Sequence, residues 1–255
     1  MQKMLLLATV STVALIMAGN ANSADFPRKA PSMVAATAPY SWTGCYVGAH
    51  VGWGWGRHDV NNTTSASGFS GGTITIGASG GLDSSGGLFG GQVGCNYQFA
   101  GNWVAGLQGE LAGADINGRD DDPLAISTGS SGTIGVKTDW LGSVTGRLGM
   151  TAWNNQSLFY VKGGVAWVHN QWDLHDAFVF FSPGQLTETR SGWTVGGGVE
   201  WAFLSNWSAF AEFNYYDFGN GTTFTDASSG DTFSTGRQTI ETAKIGVNYK
   251  FFGGN

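Results

Sequence analysis

The chain has 255 residues, of which 42 are Gly, 11 Trp and 16 Phe, while only 12 % are charged and 5 are Pro. This composition excludes a disordered chain, and the glycines lack the three-residue period of collagen. The net charge of −6 at pH 7, without any basic patch, argues against a nucleic-acid partner.

The first 23 residues have the order of a secretory signal peptide. Lys3 precedes an apolar stretch from Met4 to Ala18, and a run of small residues ends at Ser23, so we expect cleavage before Ala24. An uncleaved anchor is the alternative, but a spanning helix needs about 20 apolar residues. The mature protein is therefore expected to be exported, and strands must cross any membrane that it spans.

Apolar and polar residues alternate with a period of two in eight later segments. In the sixth segment, Trp193, Val195 and Val199 share one face and Glu200 lies on the other. The segments predict β-strands at 42–55, 87–99, 103–113, 136–150, 157–169, 191–203, 206–218 and 240–251. They form one predicted domain at 42–252, preceded by an extended, proline-bearing leader at 24–41 and followed by a short tail at 253–255.

The connections between these strands alternate in length. Short turns lie near 101–102, 154–155 and 204–205, whereas 56–86, 114–135, 170–191 and 219–239 read as long polar loops. This alternation is typical of bacterial outer-membrane barrels and predicts an all-β, eight-stranded antiparallel up-and-down transmembrane β-barrel. Strands of about a dozen residues, tilted near 40°, would rise roughly 25 to 35 Å, enough for the apolar band. An exported lectin-like sandwich is the soluble alternative.

Aromatic residues of the apolar phase gather near both ends of the strands, as two membrane-interface girdles require. The predicted girdle residues are Trp53, Trp55, Trp103, Trp140, Trp167, Trp193, Trp201, Trp207, Tyr249 and Phe251, with Phe159 and Tyr215 beside them.

Ionisable residues occupy the opposite phase at middle positions of the strands. A charge facing lipid near mid-membrane is destabilising, so the alternation places these residues in the lumen. An eight-stranded barrel is just wide enough for side chains to fill it, which predicts an ion-paired plug, with a gated small channel as the alternative. The predicted lumen network is Glu110, Arg147, Lys162, Glu200, Glu212 and Lys244.

Several motifs resemble those of the alphaproteobacterial outer-membrane immunogenic proteins, a family of small porin-like barrels. They include WTGxYxG at 42–48, GGQxGxNY at 90–97, AExxYYDFG at 211–219 and GVNYKF at 246–251. The resemblance implies an outer-membrane location and a structural or surface-antigenic role, with haem binding or porin activity in some members. It also implies a terminal aromatic signal for the assembly machinery, formed here by Tyr249, Phe251 and Phe252.

The expected partners are outer-membrane lipids, lipopolysaccharide and the assembly machinery, with the host or surface ligand left open. The leader would then lie in the periplasm. We expect no cofactor, no metal site and no catalysis, because His50 and Ser143 offer no defensible geometry for a nucleophile and its base. A narrow pore for small solutes, or binding of a haem-like ligand by the long loops, is the alternative function.

Two further groups remain open from the sequence. Cys45 and Cys95 lie on neighbouring strands, where an oxidising periplasm permits a disulfide but cross-strand geometry is demanding. At the third predicted loop, His169, Asp173, His175 and Asp176 offer a spacing for a metal or haem ligand but are more typical of a solvated loop.

Overall fold

The computed structural model describes residues 40–67, 73–121, 132–176, 185–221, 223–225 and 232–252. The predicted signal peptide, most of the predicted leader and the predicted tail at 253–255 lie outside these residues. The strands are β1 (Gly44–Ser67), β2 (Thr73–Phe99), β3 (Trp103–Asp121), β4 (Gly132–Ala152), β5 (Ser157–Asp176), β6 (Gln185–Ala202), β7 (Trp207–Asn220), β8 (Thr223–Thr225) and β9 (Thr232–Phe252). In the described residues, no helix is long and apolar enough to cross a membrane.

The strands form one closed antiparallel sheet. Each of β1 to β7 pairs with its neighbour in sequence, β7 pairs with β9, and β9 pairs back with β1. The three-residue β8 only extends the edge of β9. The predicted eight-stranded antiparallel barrel is thereby confirmed, and β8 is a short extra strand that pairs only with β9.

The predicted alternation matches the burial of the side chains. Val161 is 62 % exposed on the outer face, whereas its neighbour Lys162 is 3 % exposed inside the barrel. Phe213 and Glu212 differ in the same way, at 49 % and 5 %. Because successive residues of a strand point to opposite faces, the period of two separates an apolar outer surface from a polar interior.

The strands are longer than predicted, and this corrects the assignment of the long loops. Much of 56–86, 114–135, 170–191 and 219–239 is β-structure, including the pairing of β1 with β2 up to Ser67 and Thr73. Where their side chains are described, the outer faces of these extensions are polar, as at Arg57, Asp83 and Asn117, so the apolar outer face ends before the strands do. Backbone pairing with a neighbouring strand continues without that apolar signal.

The three short turns lie together at one end of the barrel, which we call the turn end. Gly101 has φ +79° in the β2–β3 turn, and Asn154 and Asn155 have φ of 58° and 63° in the β4–β5 turn. Glycine and asparagine tolerate this left-handed region, which explains why the chain reverses at these positions. The opposite end, where the strands extend, is called the loop end.

The interior is layered along the strands. On β5, Leu158 and Tyr160 belong to an apolar cluster near the turn end, which also contains Trp42, Val104 and Ala202. Further along β5 comes Lys162, and then Ala166 and Val168, which belong to a second apolar cluster with Ile116, Leu141, Tyr216, Phe218 and Ile240. The charged layer therefore lies between two packed apolar layers.

Candidate functional site

Six ionisable side chains from six strands meet inside the barrel. They come from β3, β4, β5, β6, β7 and β9, and each residue is at most 9 % exposed. The inward phase of each strand brings it into the lumen. The structure thus places all the predicted lumen residues in one region: Glu110, Arg147, Lys162, Glu200, Glu212 and Lys244.

Four of these side chains form a closed square of alternating charge, which we call the tetrad. Lys162 Nζ lies 3.2 Å from Glu110 Oε2 and 2.7 Å from Glu212 Oε1. Lys244 Nζ lies 3.2 Å from the same Glu212 oxygen and also forms an ion pair with Glu110. Each lysine therefore contacts both carboxylates, and neither pairing is exclusive.

The other two charges form a separate pair. Arg147 Nη2 donates to Glu200 Oε2 at 2.8 Å. The second oxygen of Glu200 accepts hydrogen bonds from Ser208 Oγ at 2.6 Å and Asn248 Nδ2 at 2.7 Å. Glu200 is thus satisfied from β4, β7 and β9, which answers how a carboxylate can lie inside a strand of small and apolar residues.

Two tyrosines connect this pair to the rest of the lumen. The Arg147 guanidinium lies 3.9 Å from the ring centroid of Tyr160, whose hydroxyl donates to Glu212 Oε2 at 2.9 Å. Arg147 Nη1 also donates to Tyr46 Oη at 2.9 Å. A ring below a guanidinium adds a cation–π attraction, so Tyr160 links the pair and the tetrad through both its face and its hydroxyl.

A second link runs through β1 and β2. His50 Nε2 lies 3.7 Å from Glu110, and its Nδ1 is 3.1 Å from Gln92 Oε1. Gln92 Nε2 in turn donates to Asn248 Oδ1 at 2.7 Å. Sequence reasoning placed these polar residues on the inward phase but did not identify them as parts of the network, because only the closed barrel brings their strands together.

The network balances three cations with three carboxylates and spans the lumen. Lys162 on β5 and Lys244 on β9 both reach Glu110 on β3. Within the described residues, no group of three or more His, Cys, Asp or Glu side chains is arranged to hold a metal ion. The arrangement can stabilise the wall by electrostatic contacts between strands, since every charge in the network has a partner of opposite charge.

The mouth at the turn end is covered by residues that precede β1. Trp42 Nε1 donates to the Asn155 carbonyl at 2.8 Å, and Lys250 Nζ donates to the Ser41 carbonyl at 2.6 Å. The same ammonium lies 4.3 Å from the ring centroid of Tyr40. Burial, and secondarily the charge of Glu200, raise the pKa of Tyr40 to about 12. The end of the predicted leader therefore packs against the barrel.

The two cysteines form a disulfide in the structure. Cys45 and Cys95 are direct partners in the β1–β2 register. Asp173 and His175, predicted in the third loop, lie on β5 instead, on the same strand as His169, which corrects their placement. His169 on β5 stacks on Trp140 with ring centroids 5.9 Å apart, and its Nδ1 lies 2.9 Å from Thr189 Oγ1.

The predicted girdle residues lie on the outer face in two bands. Trp207 and Tyr249 contact each other near the turn end, with ring centroids 5.1 Å apart. Trp193 lies 5.7 Å from Tyr215 toward the loop end. The half-exposed members are Trp53, Trp55, Trp103, Trp167, Trp193, Trp201, Trp207, Tyr249 and Phe251, while stacking on His169 partly covers Trp140.

Residues 30–251 match the outer membrane protein β-barrel domain family. The chain belongs to this family. A 31 kDa outer-membrane immunogenic protein of Brucella melitensis is 32 % identical over 257 residues, covering 95 % of this chain and 98 % of the relative. A 25 kDa outer-membrane immunogenic protein of Brucella abortus is 26 % identical over 96 % of this chain and 97 % of the relative.

Among solved structures, the outer membrane protein OprG of Pseudomonas aeruginosa is similar with a TM-score of 0.41 and 15 % identity, covering 84 % of this chain and 99 % of that chain. The likeness concerns the barrel alone. The family membership confirms the expected resemblance and the outer-membrane location. In such barrels short turns face the periplasm and longer loops face outward, so the turn end of this family member is periplasmic and its loop end extracellular.

Proposed function

We propose that this outer-membrane protein acts as a structural and surface-displaying barrel without catalytic activity. The observation that carries the proposal is the neutral network across the lumen, packed between two apolar layers. Such an interior stabilises a closed wall and leaves the strand extensions to present the extracellular surface. The outer face, with its two aromatic bands, would contact the lipids of the membrane.

The proposed partners follow from this placement. Lipid acyl chains would cover the apolar outer face, and lipopolysaccharide would surround its outer half. Tyr249, Phe251 and Phe252 at the end of β9 would provide the terminal aromatic signal for the assembly machinery. Tyr249 and Phe251 are 40 % and 44 % exposed on the outer face, where another protein could contact them before the barrel enters the bilayer.

A planar-bilayer measurement tests the structural role. The purified barrel, shown to be folded by its heat-dependent migration on a denaturing gel, is expected to give no steady conductance. Steady openings of the unmodified protein would contradict the proposal and favour a pore.

The tetrad favours a narrow, gated pore as the second candidate function. Because each lysine contacts both carboxylates, the ion pairs could exchange partners without leaving a charge unpaired. A pore of this kind predicts that Glu212→Gln changes the frequency of openings, while the exposed-pair variant Asp83→Asn leaves it unchanged. If neither the unmodified barrel nor the Glu212→Gln variant conducts, the pore function is excluded.

A further inference from the structure

On the extracellular side, the backbone pairing between β6 and β7 has a gap within the described residues. β6 pairs with β5 as far as Gln185, but within the described residues its pairing with β7 ends at Trp193 and Asp217. Residues 185–192 of β6 therefore extend beyond their last partner on that side. β7 departs here because its pairing with β9 is irregular between Asp217 and Asn220, and an irregularity of this kind bends a strand.

A cleft of about 470 Å³ lies at this gap. Gly219 has open space beside its backbone and adopts φ +62°, which favours glycine, whereas the backbone of Asp217 and Phe218 packs directly against Gly192. The other lining residues are Ser191, Trp193, Asp217, Phe218, Asn220 and Arg237.

The lining combines an aromatic ring with several hydrogen-bonding groups. Trp193 is 49 % exposed. Asp217 is 5 % exposed and accepts from the Gly219 backbone N–H at 2.9 Å, and Arg237 forms an ion pair with it. The Arg237 side chain is 55 % exposed, so part of its guanidinium can meet a ligand. A sugar ring offers an apolar face for an indole and hydroxyls for carboxylate and amide groups, while an acidic substituent suits arginine.

The position of the cleft indicates where such a sugar would come from. Trp193 belongs to the predicted outer girdle, and Arg237 lies beyond it toward the loop end. This is the level at which the headgroups and first sugars of an outer-leaflet glycolipid meet the barrel. Those sugars carry acidic groups.

We propose that the β6–β7 cleft binds an acidic core sugar of lipopolysaccharide, a role that rests on the proposed lipopolysaccharide partnership. The indole of Trp193 packs on the apolar face of the sugar. Arg237 pairs with the phosphate or carboxylate, and Asn220 and Asp217 bind hydroxyl groups. Gly219 allows the ring to approach the backbone.

Titration calorimetry with the folded barrel in nanodiscs tests this site. The probe is the deacylated core oligosaccharide of lipopolysaccharide, which does not partition into the bilayer. We expect measurable binding that Arg237→Gln and Trp193→Leu each weaken at least tenfold. The matched control is Lys137→Gln, which removes an exposed cation paired with Asp139 at 3.7 Å on β4, a strand that β5 separates from β6. Its affinity is expected to equal that of the unmodified barrel.

Three results would overturn the proposal: no binding of the core oligosaccharide, equal weakening by Lys137→Gln, or undiminished binding after removal of the acidic groups from the sugar. Co-purification of intact lipopolysaccharide separates this failure from a wider one. If intact lipopolysaccharide stays with the barrel although the core does not bind, the cleft assignment is wrong and the partnership stands. If neither binds, both are wrong.

Discussion

Glu200 and Arg147 show how the barrel accommodates charge in a low-dielectric interior. Burying either group alone is costly, and a buried pair adds little net stability beyond an apolar replacement. The buried pair instead makes the fold specific for one register of the strands, because Glu200 receives hydrogen bonds from three different strands. A slip of one residue in any of them would turn these partners toward lipid.

A double-mutant cycle tests the Arg147–Glu200 pair. Glu200→Gln or Arg147→Met alone should lower the free energy of unfolding by about 3 to 5 kcal/mol, or less where water reaches the remaining charge. The double variant should lose clearly less than the sum. Urea unfolding in detergent micelles provides the measurement.

The matched cycle pairs Glu200→Gln with Lys162→Met, since Lys162 contacts Glu110 and Glu212 instead. Its coupling energy should be clearly smaller. Strict additivity for Glu200 and Arg147 would show that the two charges do not interact.

The raised pKa of Tyr40, at the periplasmic mouth, predicts that the barrel loses stability at alkaline pH. The pKa of this tyrosine is raised to about 12, so the folded state retains the phenolic proton that an unfolded chain loses near pH 10. The contribution of Tyr40 is therefore fully present below pH 10 and is lost as the pH rises toward 12. Tyr40→Phe should lose less stability than the unmodified barrel between these pH values, as measured by urea midpoints. Parallel pH curves would show that Tyr40 is not buried in solution.

The strands divide into a part that the sequence predicts and a part that it does not. Where one face meets lipid, the alternation is strong, and Val161 beside Lys162 identifies both the strand and its faces. Beyond the girdle the outer face is polar, as at Arg57 and Asp83, so a strand no longer shows an apolar face toward lipid and resembles a loop. The extensions could not be predicted because the apolar residues that remain in them, such as Leu82 and Trp172, point inward without an apolar outer face beside them.

The same limit applies to the lumen. Inward phase could be predicted for each of the six residues of the lumen network from its own strand. The partner of Glu200 could not, because Arg147 lies two strands away and the curvature and register of the closed sheet bring the two together. The β6–β7 cleft also depends on tertiary structure, since it arises from the irregular pairing of β7.

The disulfide between β1 and β2 gives a prediction at the level of these elements. Reduction of the unfolded protein should increase its mass by two protons, as expected for one bond between Cys45 and Cys95. Replacing both with Ser should lower the free energy of unfolding by about 2 to 4 kcal/mol, because the bond restricts the unfolded chain. An unchanged mass would show that the two thiols are free.

At the scale of the whole molecule, the separation of apolar and charged side chains accounts for both the stability of the barrel and its location in a membrane. Apolar side chains can lie outside because lipid surrounds them, and charged side chains can lie inside because the sheet closes and pairs them. The outer face of this barrel carries many half-exposed Val and Phe side chains. On a soluble protein, an apolar surface of this size would be prone to aggregation. The assignment of an apolar outside and a charged inside is therefore tested by which face of the strands contacts acyl chains.

Labelling from within the bilayer tests this most directly. A photoactivated carbene reagent attached to an acyl chain should modify Leu148 and Val199, which are 46 % and 37 % exposed on the outer face. It should leave Arg147 and Glu200, their neighbours in sequence, unmodified. Peptide mapping by mass spectrometry resolves the adjacent positions. Labels on Arg147 and Glu200 in place of Leu148 and Val199 would contradict the assignment of lipid-facing and lumen-facing sides.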